Sequence, residues 1–156
     1  MTLSLASDAE ILAIANPIMD NLMDASTQVD YDRHIRDFSP RLKAQLSPEG
    51  LAAICLDYQS SKGFFTQREF VALFRRPASI AIIWRQSFSL QAGEFVAEMV
   101  LIEHDGRYLV DHVMVFNAEI SGEHHAHPRK AQLCRISRLR FGGHQAVFPN
   151  RVWLEF

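Results

Sequence analysis

Two cysteines in 156 residues, Cys55 and Cys134, are too few and too widely spaced for a disulfide framework or a zinc site. Excess charge is lacking too. A net charge of -2 argues against a partner held mainly through phosphates, duplex nucleic acid above all. No apolar run approaches the length needed to span a bilayer, so no membrane partner is expected. The opening residues Met1 to Asp8 carry no basic stretch followed by a sustained apolar one, so no secretory leader is visible and the cytoplasm is the expected location. Nowhere is there a Gly-x-Ser-x-Gly elbow, a phosphate loop, a dinucleotide fingerprint or a His-Glu-x-x-His helix. Activated serine nucleophiles, nucleotide cofactors and helix-borne zinc thereby lose their usual signatures, and neither a cofactor nor a metal is expected.

What remains is a chain of 48% hydrophobic and 22% charged residues, the balance of a globular domain with a sizeable core. Its charge is unevenly spread. Residues 1–117 hold ten Lys/Arg against fifteen Asp/Glu, while 118–156 hold six against three, with four of the seven histidines. Breaks at Gly122, Pro128, Gly142-Gly143 and Pro149 mark 118–156 as a basic, His-containing appendage to a domain spanning 1–117. His124, His125 and His127, with Cys134 beyond, are metal-ligand types in no dependable zinc spacing. The arginines of the 135–141 run are weak evidence of a phosphate contact.

Along the first part, Ser7 and Glu10 have capping-box spacing. The helix they open carries Ile11, Leu12, Ala15, Ile18, Met19, Leu22 and Met23 at helical intervals, with Pro17 expected to kink it. Asp30, Ser39-Pro40 and Ser47-Pro48 mark three further helix starts. Past Gly63 the period turns strand-like, predicting strands over 64–75, 79–91, 94–104 and 107–117. The Asp105-Gly106 dipeptide is a strong two-residue hairpin signal. It pairs Leu101 with Val110, Met99 with His112, Ala97 with Met114 and Phe95 with Phe116 on one face. A two-residue Ala92-Gly93 loop would add Trp84 opposite Leu101, Gln86 opposite Met99 and Phe88 opposite Ala97.

Helices followed by a four-stranded antiparallel meander predict an α+β fold, a cone in which the helices pack into a curved sheet. The stretches Asp30–Ser39, Leu42–Leu56 and Asp105–His112, the last with Tyr108, Val110 and His112 at alternate positions, resemble the nuclear-transport-factor-2-like (cystatin-like) superfamily, and more narrowly its small uncharacterised bacterial domains. The resemblance covers about residues 7–117. It implies a cone mouth that serves isomerases, dehydratases or plain ligand binders. Isomerase-type members use an inward carboxylate as base, and the inward set here has no Asp or Glu in mid-strand.

The inward row of Gln86, Met99 and His112, flanked by Trp84 and Phe88, is therefore the candidate site, with Tyr31, His34 or Tyr58 completing it from the helices. It suits a small apolar or amphipathic ligand, or the domain has lost that role and serves as a dimeric interaction module. The alternative is a cofactor-free lyase or isomerase with His112 as acid–base and Tyr31 or Tyr58 assisting. On the reverse face Arg85, Glu98, Val100, Asp111 and Val113 fall among enough aliphatic residues to require cover. A homodimer through the sheet is expected, with Arg85, Glu98 and Asp111 as its polar contacts, the alternative cover being the chain's own tail.

Overall fold

The computed structural model describes residues 5–117. The appendage and its histidines, Cys134 and arginines lie outside the described residues. Four helices come first: α1 (Asp8–Gln28), α2 (Tyr31–His34), α3 (Pro40–Lys43) and α4 (Pro48–Lys62). Four strands follow in an antiparallel meander of order β1-β2-β3-β4: β1 (Phe65–Arg75), β2 (Ser79–Phe88), β3 (Phe95–His104) and β4 (Arg107–Asn117). Each helix begins where a polar side chain serves its first free amides. Ser7 and Glu10 form the full capping box, and Asp30, Ser39 and Ser47 accept from Arg33, Leu42 and Gly50 amides. α1 runs as one helix past Pro17, which stands on its exposed side. No described helix is long and apolar enough to cross a membrane.

The α+β architecture matches the expectation, and the core lies where the helices meet one face of the sheet. Ile11, Ala15, Met19 and Leu22 of α1 and Leu51, Cys55 and Tyr58 of α4 pack there with Trp84, Phe88, Phe95, Met99 and Leu101. Strand parity holds throughout β2 and β3, where Ile80, Ile82, Trp84, Gln86 and Phe88 alternate inward and so do Phe95, Ala97, Met99 and Leu101.

Two register expectations fail, each for a local reason. Between β2 and β3, Gln86 pairs with Phe95, Trp84 with Ala97 and Ile82 with Met99, four positions away from a two-residue loop. The cause is the start of the meander. The amides of Ser89 and Leu90 donate to the carbonyls of Phe64 and Lys62, and Ser89 Oγ accepts from the Phe64 amide at 2.9 Å. Gly63 lets these segments approach, since its φ is 79° and a Cβ there would lie 2.2 Å from Ser89 Oγ. Because a shift of four preserves parity, the inward set survives.

The second failure reverses parity. The hairpin turn forms as expected, with Asp105 and Gly106 at φ 51° and 73°, and Leu101 pairs with Val110. Asp111 is then an extra residue, a β-bulge, so Val100 faces His112, Met99 faces Val113 and Ala97 faces Val115. His112, Met114 and Phe116 accordingly move to the outer face, while Val113 and Val115 enter the core. The bulge is pinned from outside the sheet. The segment before α3 lies against β4, with the Val110 amide donating to Asp37 and its carbonyl accepting from the Ser39 amide. Ser39 Oγ donates to Asp111 Oδ1 at 2.6 Å, and Arg41 binds both that carboxylate and the Asp111 carbonyl. Partial burial pushes the Asp111 carboxyl upward, but the bonds from Arg41 and Ser39 and the charges of Arg41 and His112 hold it below its ordinary value.

Replacing Asp111 by Ala is expected to destabilise the fold by about 1–3 kcal/mol, the range for losing charge-assisted hydrogen bonds at a part-buried position. The urea midpoint measures this. A change under about 0.5 kcal/mol, the scatter of an ordinary surface substitution, would show that the bulge holds without its clamp.

Candidate functional site

Residues drawn from three elements converge on the inner face between α1 and the β1–β2 pair. Arg68 of β1 is the direct cross-strand partner of Gln86, and Phe70 that of Trp84, so all four share the face toward the helices. Outer neighbours confirm the parity, since Glu69 pairs with Arg85 in register and by an ion pair. Trp84 donates its indole N–H to Asn16 Oδ1 on α1 at 3.2 Å. The Arg68 guanidinium carbon sits 5.5 Å from the Trp84 ring centroid, a cation–π contact, and one of its N–H groups meets Asp20 of α1. No β1 residue is fully buried, and Phe70 is 42% exposed, so this side of the inner face reaches water.

Gln86 is the exceptional member. It is 1% exposed, and its amide nitrogen donates to the carbonyls of Gln67 and Ser87 at 3.2 and 2.8 Å. Those carbonyls flank an irregularity where Thr66 and Gln67 face the single residue Ser87, so the amide staples a second bulge. Both partners only accept, which fixes the orientation of the amide and turns Oε1 the other way. Among the described residues no donor reaches that oxygen. A buried acceptor left without a donor costs about 1–3 kcal/mol, so natural structures seldom retain one without cause.

Of the expected site residues, Trp84, Gln86, Phe88, Met99 and Tyr58 all face the interior and are buried. Tyr58, Phe65, Phe88 and Phe95 form a chain of ring contacts with centroids 4.8 to 6.1 Å apart. Two residues fall elsewhere. Tyr31 is half-buried beside α3 and α4, its hydroxyl donating to the Leu46 carbonyl at 2.7 Å. His112 stands on the outer face beside Asp111, so the sheet separates it from Tyr58 and the acid–base arrangement expected of them is not assembled. Of the expected interface residues, Val113 is buried inside, and Asp111 is taken by Ser39 and Arg41. Arg85, Glu98 and Val100 keep the outer face, Arg85 pairing with Glu69 and Glu94. Arg68, Asn16 and Asp20 were not singled out from sequence. The available signal was an arginine on the inward parity of a strand.

A second polar group lies deeper, under the end of α1. Ser26 Oγ and His34 Nδ1 share a hydrogen bond of 3.1 Å, and the Cys55 thiol is hydrogen-bonded to Tyr58 and Ser26. Burial holds every member neutral. It lowers His34 to about 4, against a weaker opposing effect of a Leu22 backbone bond, and it pushes Tyr58 to about 12 and the Cys55 thiol upward. A neutral imidazole, a thiol and a phenol joined through Ser26 are a structural network. No His/Cys/Asp/Glu cluster able to hold a metal occurs among the described residues.

No protein-family model matches this chain, and no curated protein matches it. Among solved structures it is similar to a nuclear-transport-factor-2-like protein of unknown function from Shewanella baltica, at 10% identity over 80% of this chain and 99% of that one, TM-score 0.46. A designed nuclear-transport-factor-2 variant is similar at 16% identity over 68% and 98%, TM-score 0.48. A SEC-C motif containing protein from Rhodopseudomonas palustris is similar at 12% identity over 72% and 97%, TM-score 0.45. Likeness at that level carries no function across, and the fold is defined by this chain's own strand order and register.

The His34 network makes stability depend on pH. Its folded pKa lies below the ordinary 6.5, so between 6.5 and about 4 the unfolded chain takes up a proton that the folded one refuses. That contribution is complete above 6.5 and is lost as the pH falls through the window. The wild-type chain is expected to lose about 3 kcal/mol more than a His34→Gln variant between pH 7 and pH 4. Urea unfolding at both values measures the difference, and equal losses would refute it.

Proposed function

We propose that this protein is a small-molecule-binding domain, whose ligand is mainly apolar and donates one hydrogen bond to Gln86 Oε1. The observation that carries the reading is that oxygen, buried and locked in orientation without a donor. Phe70, exposed at the rim, offers the apolar surface that such a ligand meets first, with the buried Trp84 behind it under the Arg68 guanidinium and Phe88 and Met99 further in. Binding, not acid–base chemistry, is the role that suits these groups, because an amide and an indole exchange no protons near neutral pH.

The test compares 4-methylphenol with toluene, which have nearly the same shape and differ in one donor. Titrations followed by NMR are expected to show saturable binding of the phenol about tenfold tighter than toluene, one hydrogen bond's worth. In a Gln86→Leu variant the preference is expected to vanish. Equal affinity of the two probes for the wild-type chain would sink the assignment.

A second reading, compatible with the first, concerns the outer face. Ile83, Val96, Val100 and Ile102 remain there, each only half-buried, and the helices lie on the other side. A second copy related by a two-fold axis would cover them, with the cation Arg85 and the anion Glu98 on one self-complementary surface. Val100→Glu is expected to convert a dimer to a monomer in sedimentation equilibrium. A wild-type chain that sediments as a monomer would end this reading.

A further inference from the structure

Arg68 is a nearly desolvated cation whose one anionic partner among the described residues is loosely committed. Its side chain is 13% exposed and lies against Trp84, whereas the Asp20 side chain that meets it is 69% exposed. An ion pair anchored in water on one side contributes little, and Asp20 recovers its hydration on leaving. Arg68 loses more, because a guanidinium in low-dielectric surroundings attracts a nearby anion strongly. Its planar fork of five donors is matched to a carboxylate, and a single N–H is used on Asp20. The next inward cation on β1, Arg75, is by contrast tied to both Asp8 and the Ala6 carbonyl.

Resting on the reading of Gln86 as a ligand acceptor, we infer that the ligand is a small monocarboxylic acid whose carboxylate takes the place of Asp20 on Arg68. The spacing supports the pairing of groups. Arg68 and Gln86 are direct cross-strand partners on the inner face, with Cβ atoms about 5 Å apart, so one small molecule touches both. The acid meets the guanidinium at the watered side of the face, where Phe70 is exposed. Its apolar body lies along Phe70, and as Arg68 shifts off the buried Trp84 ring toward the carboxylate, a hydroxyl or N–H reaches the buried Gln86 oxygen. Asp20 acts as a stand-in for the ligand's charge, keeping the empty site from holding an unpaired cation. A single arginine suits a monoanion; a phosphate dianion would call for more positive charge than this face carries.

The experiment titrates the full chain with 4-hydroxyphenylacetate and indole-3-acetate, each against its neutral primary amide, following the Arg68 Nε–H and Trp84 indole N–H by NMR. Each acid is expected to bind at least about tenfold tighter than its amide, the worth of one charge-assisted bond. Arg68→Gln is expected to erase that difference. Asp20→Asn, an exposed change that removes the competing anion without touching the inner face, is expected to tighten acid binding severalfold. Equal binding of acids and amides would overturn the carboxylate assignment and leave the Gln86 reading standing. Saturable binding of neither class would remove both. If Arg68→Gln fails to fold, the Asp20→Asn arm decides, and unchanged acid affinity in that variant overturns the inference.

Discussion

One extra residue in the last strand determines which side chains this domain keeps inside. Asp111 has no cross-strand partner on β3, and its insertion turns Val113 and Val115 inward in place of His112 and Met114. The exchange is favourable because two valines bury apolar surface that an imidazole would forfeit, and a buried imidazole would need partners of its own. The bulge in turn depends on Ser39. That one buried serine caps α3, contributes its amide to the Val110 carbonyl and donates to the Asp111 carboxylate. Helix start, sheet edge and bulge are thus one unit, and the edge of β4 is covered by backbone at Val110, where free pairing groups would invite aggregation.

The opposite edge is handled differently, and the difference creates the candidate site. β1 carries two irregularities, at Thr66-Gln67 and at Val71, and among the described residues no segment lies along its outer side as Asp37–Ser39 does on β4. Bulges break the regular row of donors and acceptors, which protects an edge without covering it. An uncovered edge leaves the inward residues of β1 half in water. Arg68 and Phe70 therefore form a rim to an interior that is otherwise closed by aromatic rings. The first irregularity also occupies the Gln86 amide nitrogen, and for that reason its oxygen is left facing the interior.

Much of this was legible in the chain. Capping serines and aspartates fixed the helix starts because their chemistry is local, and Asp105-Gly106 fixed its turn because few dipeptides adopt two successive positive φ values. The inward set of β2 and β3 was legible because alternation is a property of each strand alone, which is why it survived a wrong register. What failed was continuity across a bulge. Asp111 among Leu109, Val110 and Val113 was the signal, since aspartate is disfavoured in strands and the valines at 110, 113 and 115 align only if one residue is skipped. The β2–β3 register was not legible, because it is set by contacts between Ser89 and Phe64, 25 residues apart, that no local pattern encodes.

The two buried polar groups of the interior are separated by how they are satisfied. Beneath α1, His34 Nδ1, Ser26, Cys55 and Tyr58 are hydrogen-bonded among themselves while neutral, so the network ties α1, α2 and α4 into one packing. Gln86 returns only half. Its nitrogen stabilises the bulge, while its oxygen is desolvated for no internal gain. An apolar residue there would avoid that cost but leave the bulge carbonyls of Gln67 and Ser87 without their donor. The same amide thus serves the fold with one atom and offers the other to a visitor. It stands two residues from the indole and directly across from the cation that would receive the rest of such a molecule.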